Sequence, residues 1–289
     1  MVAAKTLTLD TAVADASADP GAATATPIGT PVPSLSALPA LSAGSVFHYE
    51  QCRLANDRVA LEPFDLALHL GQSVKRLREH PGLLTYMPFP ALDDEDAFVR
   101  DVWSYISKSP ADALYAVRDL SSSNSIAGFI SLSGTNPMNA STELGIILFP
   151  EFHHTHVSVT AVGLMLQWLM DPVAGQGSQG SQDSIQSAEG GRSTAATTAR
   201  GLGLRRVEWK THSENVASRK LADRIGFELE GICRWERIVQ PGKPGLAADW
   251  LQRRNGSPVE LQGQHMALYS IVWDEWDQKR QHIVAEMET

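Results

Sequence analysis

The chain has 289 residues, of which 43% are hydrophobic and 20% are charged, a composition ordinary for a protein that buries a core. Its formal net charge of -9 argues against nonspecific electrostatic binding of nucleic acid, which needs a clustered basic surface. No stretch approaches the roughly 20 uninterrupted apolar residues that a membrane span needs. Cys52 and Cys233 form no CxxC pair. We therefore expect no nucleic-acid partner, no membrane partner and no thiolate zinc site.

Two segments lack the apolar periodicity of folded elements. Residues 1–44 are dominated by Ala, Thr, Ser, Pro and Gly, which predicts a disordered leader. Residues from about 173 to 200 are rich in Gly, Ser and Gln, which predicts a flexible insert in a surface loop. The rest, 45–289, is then one domain interrupted by this insert. The leader resembles neither a secretory signal nor an arginine-rich presequence, so we expect a cytoplasmic protein, with mitochondrial or nuclear locations left open.

Strand-like and helix-like patterns alternate along the domain. In chain order they predict a strand over 58–63, helices over 64–80 and 93–107, strands over 114–118, 126–132 and 142–148, a helix over 158–170, a strand over 206–211, a helix over 215–225, a strand over 265–272 and a helix over 273–288. This order predicts a mixed α+β sheet. Trp273 and Trp276 are expected to pack the last helix against that sheet.

The segment from Thr211 to Gly231, THSENVASRKLADRIGFELEG, carries the most informative spacing in the chain. Asn215 suits a helix N-cap, and Gly226 suits a left-handed helix end. The segment resembles the one that closes the acetyl-CoA site of GNAT-family N-acetyltransferases, and the chain resembles the branch of this family that acetylates alanine or serine amino termini of ribosomal proteins. The matching residues are Asn215, Ser218, Leu221, Gly226, Phe227, Glu230 and Gly231.

The resemblance implies the GNAT fold, a mixed and largely antiparallel twisted sheet of about six to seven strands flanked by helices. It also implies direct transfer of an acetyl group from acetyl-CoA to a primary amine in a ternary complex, without a covalent enzyme intermediate. In the family the asparagine orders a water or the pantetheine arm, which makes Asn215 a cofactor contact. A hydroxyl at the serine position can protonate the departing thiolate, which makes Ser218 a candidate general acid or, alternatively, a plain helix-surface serine.

The loop before the helix at 158–170 departs from the family pattern. GNAT enzymes place a Q/R-x-x-G-x-G/A sequence here, so that backbone N–H groups hold the pyrophosphate of CoA. The corresponding residues in this chain are His153, His154, Thr155, His156, Val157 and Ser158. His156 adds bulk at the first glycine position, so we expect a weakened or rearranged CoA site. The histidines lack a carboxylate or thiolate in a metal-site spacing, and we expect no metal ion.

Other strands supply candidates for the remaining roles. Glu143 matches the acidic residue of the family's central strand and is the candidate general base; the alternative is a carboxylate that anchors the sheet by hydrogen bonds. Backbone groups near Leu148 and Lys210 would hold the pantetheine and the thioester oxygen. Tyr269 is a second candidate acid.

The acceptor is the least specified part of this interpretation. Tyr86 and Phe89 lie on the loop that forms one wall of the acceptor cleft in the family, and are substrate-facing candidates. The acceptor itself is a peptide amino terminus or a small amine, and the acidic chain favours a cationic one by electrostatic steering. Two rival hypotheses are a catalytically silent acyl-CoA-binding module and a scaffold that recruits partners through its leader and insert. A monomer and a homodimer are both compatible with the sequence.

Overall fold

A computed structural model describes residues 46–122, 124–173, 200–240, 242–246 and 262–289. All of them belong to one unit, Pro39–Thr289. The predicted leader at 1–44 lies outside the described residues, as does the predicted insert at 173–200 except for its two end residues.

Eight strands form one sheet in the described part of the chain. They are β1 (Leu54–Ala55), β2 (Val59–Pro63), β3 (Ala113–Asp119), β4 (Ser125–Asn136), β5 (Ser141–Leu148), β6 (Arg206–His212), β7 (Glu228–Ile238) and β8 (Gly263–Val272). Their order across the sheet is β1-β2-β3-β4-β5-β6-β8-β7, and only the β5–β6 pair is parallel. The predicted mixed and largely antiparallel sheet is confirmed, with eight strands in place of six to seven.

Six α-helices flank this sheet among the described residues. They are α1 (Leu66–Glu79), α2 (Glu95–Phe98), α3 (Ser104–Ile106), α4 (His156–Met170), α5 (Val216–Ile225) and α6 (Trp276–Met287). A π-helical turn, Val99–Trp103, joins α2 to α3, so the helix predicted over 93–107 is one stretch with a widened middle. None of these helices has both the length and the apolar character to cross a membrane.

The caps of α4 and α5 explain where these two helices begin. The Thr155 hydroxyl accepts a hydrogen bond from the Val157 N–H at 3.2 Å, so α4 starts at His156, two residues before the predicted start. Asn215 caps α5 by accepting from the Ser218 N–H at 3.2 Å. Gly226 ends α5 with a φ of 105°, in the left-handed region that favours glycine. The predicted boundaries of α5 are therefore confirmed.

The two tryptophans near the C-terminus have different environments. Trp276 is buried and donates from its indole nitrogen to Asp171 at 2.9 Å, as its predicted packing role requires. Trp273 is 61% exposed, and the guanidinium of Arg205 lies 4.8 Å from its ring centroid. The prediction that Trp273 packs the last helix against the sheet was wrong, because Trp273 precedes α6 and its exposed ring lies beside Arg205 instead.

β5 and β6 diverge in the middle of the sheet. Their parallel pairing runs over three residue pairs and stops at Glu143 and Glu208, although the strands continue to Leu148 and His212. The chain then leads from β5 into α4 and from β6 into α5. Beyond this point the edges of β5 and β6 that face each other are not paired with each other, and the N-termini of α4 and α5 follow.

Candidate active site

Opposite charges gather on one face of the sheet beside the β5–β6 divergence. The Lys210 ammonium lies 3.5 Å from the Glu143 carboxylate and 3.3 Å from that of Glu208. Arg237 of β7 approaches Glu143 at 4.0 Å. We call these four residues the Glu143 cluster. Because side chains alternate along a strand, the cluster occupies the face to which β6 turns Glu208, Lys210 and His212.

The two carboxylates of the cluster differ in proton affinity. Burial raises the pKa of Glu143 above its usual value, and this outweighs the opposing effects of Lys210 and Arg237. Burial also acts to raise the pKa of Glu208, but hydrogen bonds from Arg206 and Lys210 outweigh it and lower that pKa. A carboxylate with a raised pKa is the better proton acceptor near neutral pH. Glu143 therefore has the properties of a base, whereas Glu208 resembles a permanent counterion.

His212 ends β6 on the same face and was not singled out from the sequence. Its side chain is buried, and its Nδ1 accepts a hydrogen bond from the Glu214 N–H at 3.0 Å. The ring centroid lies 5.0 Å from that of Tyr86. Its Nε2 has no hydrogen-bond partner in the described part of the chain. A lone histidine carries no motif, but its spacing of two from Lys210 on a strand was a usable signal.

A lysine from the β7–β8 connection fixes the loop that carries Tyr86 and Phe89. The Lys243 ammonium donates to the carbonyls of Leu84, Met87 and Phe89 at 2.6, 2.7 and 2.5 Å. Burial lowers the pKa of this lysine. The structure thus brings Tyr86 to the face of the Glu143 cluster, while Phe89 is half-buried against the hydrophobic core.

The two candidate acids lie on the opposite face of β6. Ser218 accepts a hydrogen bond from the Trp209 indole at 3.0 Å. Tyr269 is paired with Trp209 across β6 and β8, so both side chains share that face. The Tyr269 hydroxyl accepts from Arg219 at 2.9 Å, and the residue is only 1% exposed. Predicted base and predicted acids are therefore separated by the thickness of the sheet.

Histidine side chains organise the loop between β5 and α4. His153 donates from its ring to the Leu148 carbonyl at 2.8 Å, so the backbone oxygen predicted to hold pantetheine already has a partner. His154 has a φ of 60°, a left-handed conformation that glycine adopts more easily. The Thr155 hydroxyl donates to the Phe152 carbonyl at 2.8 Å. Side-chain hydrogen bonds therefore fix the conformation of this loop, whereas the family's loop relies on the conformational freedom of glycine.

The first turn of α4 keeps its backbone donors despite the histidine at its start. The His156 ring turns toward the β3–β4 connection, where its Nε2 lies 3.5 Å from Asp119. Val157 is buried, and Ser158 follows it in the first turn. A helix leaves its first N–H groups without intrahelical partners. An anion can therefore still bind these groups if the imidazole leaves room for it.

The glutamate of the family motif has a structural role. Glu230 accepts two hydrogen bonds from the Arg206 guanidinium at 2.5 and 2.7 Å and one from the Ser270 hydroxyl at 2.6 Å. These donors lower the pKa of Glu230 to about 2. Such a carboxylate is a poor proton acceptor, so Glu230 ties β7 to β6 and β8.

Solved structures of known proteins share this fold. A GCN5-related N-acetyltransferase from Brucella melitensis is 23% identical with a TM-score of 0.60, covering 82% of this chain and 86% of that one. A spermidine N-acetyltransferase from Vibrio cholerae, in complex with CoA and spermine, is 15% identical with a TM-score of 0.50 and coverages of 76% and 99%. An acetyl transferase from Salmonella typhimurium that modifies the N-terminal serine of ribosomal protein L7/L12 is 14% identical, with a TM-score of 0.52 and coverages of 75% and 96%.

Sequence comparison adds the family to the fold. A search among curated proteins finds no significant match. Residues 58–228, more than half of the chain, match the acetyltransferase (GNAT) domain. The match includes the β5–β6 divergence, the loop before α4 and the whole of α5. This chain is a member of the GNAT family of acetyltransferases.

Proposed function

We propose that the chain transfers an acetyl group from acetyl-CoA to a primary amine by direct attack in a ternary complex. The observation that carries this proposal is the end of β5–β6 pairing at Glu143 and Glu208, with two helix N-termini beyond it. Unpaired strand backbone can hydrogen-bond the extended pantetheine arm, and the N-terminus of α4 suits the pyrophosphate. The CoA in the Vibrio cholerae structure, which has a similar fold, supports the same ligand class.

The side chains around the divergence divide the proton transfers between them. Glu143 takes the proton of the substrate ammonium, because burial gives it the higher proton affinity of the two cluster carboxylates. Ser218 protonates the departing thiolate and is favoured over Tyr269, whose buried hydroxyl is held by Arg219. Asn215 uses its side-chain oxygen as the α5 cap, so its contact with the cofactor would use the amide nitrogen.

The same proposal covers the finer features of the enzyme. The acceptor is a peptide amino terminus or a small amine, and the branch that acetylates alanine or serine termini of ribosomal proteins is the favoured relative. The Salmonella typhimurium fold relative, which modifies a ribosomal amino terminus, supports that placement. Further parts of the proposal are a cytoplasmic location and a monomer or homodimer.

Thermal unfolding of the purified full chain with and without acetyl-CoA tests the first step. A ligand that binds only the folded state raises its stability by mass action, by about 2.7 kcal/mol at a concentration 100 times its Kd. We expect a clear rise in Tm, reduced in Asn215→Ala. Thiol release from acetyl-CoA in the presence of amines then tests transfer. No Tm shift at millimolar acetyl-CoA would contradict the enzyme proposal and favour the scaffold hypothesis.

A catalytically silent acyl-CoA-binding module is the second candidate. It is favoured by the loop before α4, where His153 occupies the Leu148 carbonyl and His156 replaces a glycine. The two candidates share the Tm shift and differ in turnover. A protein stabilised by acetyl-CoA that releases no thiol with any amine would be such a module.

A further inference from the structure

We propose that the acceptor carries a hydrogen-bond-accepting oxygen next to its amino group, as the first peptide unit of a polypeptide does, and that His212 binds this oxygen through Nε2–H. The proposal rests on the proposed function and narrows its acceptor class. It assigns to His212 a role in specificity that the family motif does not cover.

The hydrogen bond at Nδ1 fixes the tautomer of His212. A backbone N–H can only donate, so the N–H of Glu214 requires an unprotonated Nδ1 on the imidazole. The proton of the neutral ring then lies on Nε2. Burial lowers the pKa of His212, assisted by His265 and opposed by Glu214, which keeps the ring neutral at physiological pH. His212 is therefore a hydrogen-bond donor at Nε2 and is not available there as a base.

This donor is both buried and unused. Nε2 lacks a partner among the described residues, and His212 as a whole is 4% exposed. An unpaired buried donor costs folding free energy, which a ligand oxygen would recover. The ring lies on the face of Lys210, about 7 Å further along β6 at the usual strand rise. The Tyr86 ring lies against that of His212, with 5.0 Å between centroids. The proposal therefore requires the tyrosine side chain to turn aside when the acceptor binds.

The charges of the Glu143 cluster disfavour a polyamine. Glu143 pairs with Lys210 and Arg237, and Glu208 pairs with Lys210 and Arg206. Each cluster carboxylate thus has a cationic partner, whereas the extra ammonium groups of a polyamine need unpaired carboxylates. The net charge of -9 acts at longer range and is screened beyond about 10 Å at 0.1 M ionic strength. A single amine beside a neutral carbonyl suits this face better.

Acetyl transfer to two amines of similar size, measured with the full-length protein and acetyl-CoA, tests whether the acceptor needs an oxygen next to its amino group. Alaninamide has a carbonyl next to its amine, and butan-2-amine has none; spermidine serves as the polyamine. We expect the wild type to use alaninamide with the highest kcat/KM. We expect His212→Phe to lower the ratio of kcat/KM for alaninamide over butan-2-amine about tenfold, the effect of losing one hydrogen bond. Intrinsic differences between the amines cancel in this comparison of variants.

Two further variants control the result. In His212→Gln the side-chain amide can donate from a similar position, so we expect part of the ratio to return. His265→Phe removes a neighbouring histidine whose Nδ1 also accepts a backbone N–H, that of Trp235 at 2.9 Å, and should leave the ratio unchanged. A Tm shift with acetyl-CoA shows that each variant is folded.

Each outcome decides the proposal. Wild-type protein that acetylates butan-2-amine or spermidine as efficiently as alaninamide overturns it, even if His212→Phe fails to fold. An equal loss with all amines in His212→Phe also overturns it, because that pattern indicates a purely structural residue. If none of the amines supports thiol release, the proposed function itself is refuted, and the acceptor proposal with it. This result is distinct from acetyl transfer to all amines without preference.

Discussion

The two faces of the sheet differ most where β5 and β6 separate. One face presents the Glu143 cluster and His212, with opposite charges in contact and a His212 Nε2 donor that has no partner in the part of the chain that the structure describes. The other presents Trp209 and Tyr269, covered by α5 and tied to it through Ser218 and Arg219. Strand alternation alone produces this division. The proposed proton acceptor and the proposed proton donors therefore lie on opposite sides, and the proposed reaction would take place in the gap between the strands.

Replacing Glu143 is expected to have the largest effect on activity. Glu143→Gln removes the proposed base but keeps the size of the side chain, so kcat/KM should fall about 100-fold or more. The acetyl-CoA-induced rise in Tm should persist, because Glu143 is proposed to contact the acceptor and not the cofactor. Steady-state thiol release and thermal unfolding measure the two quantities.

The same face offers a matched control for this test. Glu208 contacts the same lysine but has a lowered pKa. Glu208→Gln should therefore retain activity within about tenfold, the range expected for a lost charge contact and not for a lost base. Equal losses in the two variants would make Glu143 the sheet anchor that is its alternative role.

Ser218→Ala is the second test and acts on the opposite face. If Ser218 supplies the proton to the thiolate, kcat should fall about 100-fold, with a smaller change in KM. This loss is at the low end of the range expected when a general acid is removed. Tyr269→Phe removes only the bond to Arg219 and should cost about 1 kcal/mol of stability. A larger kcat loss in Tyr269→Phe than in Ser218→Ala would reverse the assignment of the acid.

Local signals in the sequence predicted some elements of this architecture well. Asn215 and Gly226 mark the two ends of α5. These ends were predictable because a helix cap and a left-handed glycine depend only on residues close by in the sequence. β7 had no predicted bounds, since it is an edge strand with mostly exposed side chains and weak apolar alternation. Two-residue β1 was equally inaccessible to pattern analysis.

Glu143 and Lys210 of the candidate site were named from the sequence, but His212 and the contacts between the residues were not. Glu143 was expected at the site as the base and Lys210 through its backbone, yet nothing local indicated that the Glu143 carboxylate pairs with both Lys210 and Arg237. Lys243 holds the loop that carries Tyr86 and Phe89 from a position more than 150 residues away along the chain. Such contacts depend on strand register and loop path, which a single sequence does not specify.

The pH dependence of catalysis sharpens the role assigned to the charged face. Glu143 must be ionised to accept a proton, so kcat/KM should fall as the pH drops through its raised pKa, above the usual range for glutamate. Lys210 lowers that pKa. In Lys210→Met the acidic limb should therefore move to higher pH. A limb that stays in place or moves to lower pH would show that Glu143 is not the titrating base.

The smallest expected effect concerns how the cofactor reaches the gap between the two faces. His156→Gly restores the family's glycine at the start of α4 and should tighten acetyl-CoA binding a few-fold in calorimetry, because backbone amides become more accessible to phosphate. Stability should fall by roughly 0.5–1 kcal/mol from the glycine. Asp119→Asn removes the carboxylate that lies 3.5 Å from the His156 Nε2 but keeps the imidazole. If Asp119→Asn tightens binding as much as His156→Gly, the carboxylate opposes the pyrophosphate; if only His156→Gly does so, the bulk of the ring limits binding.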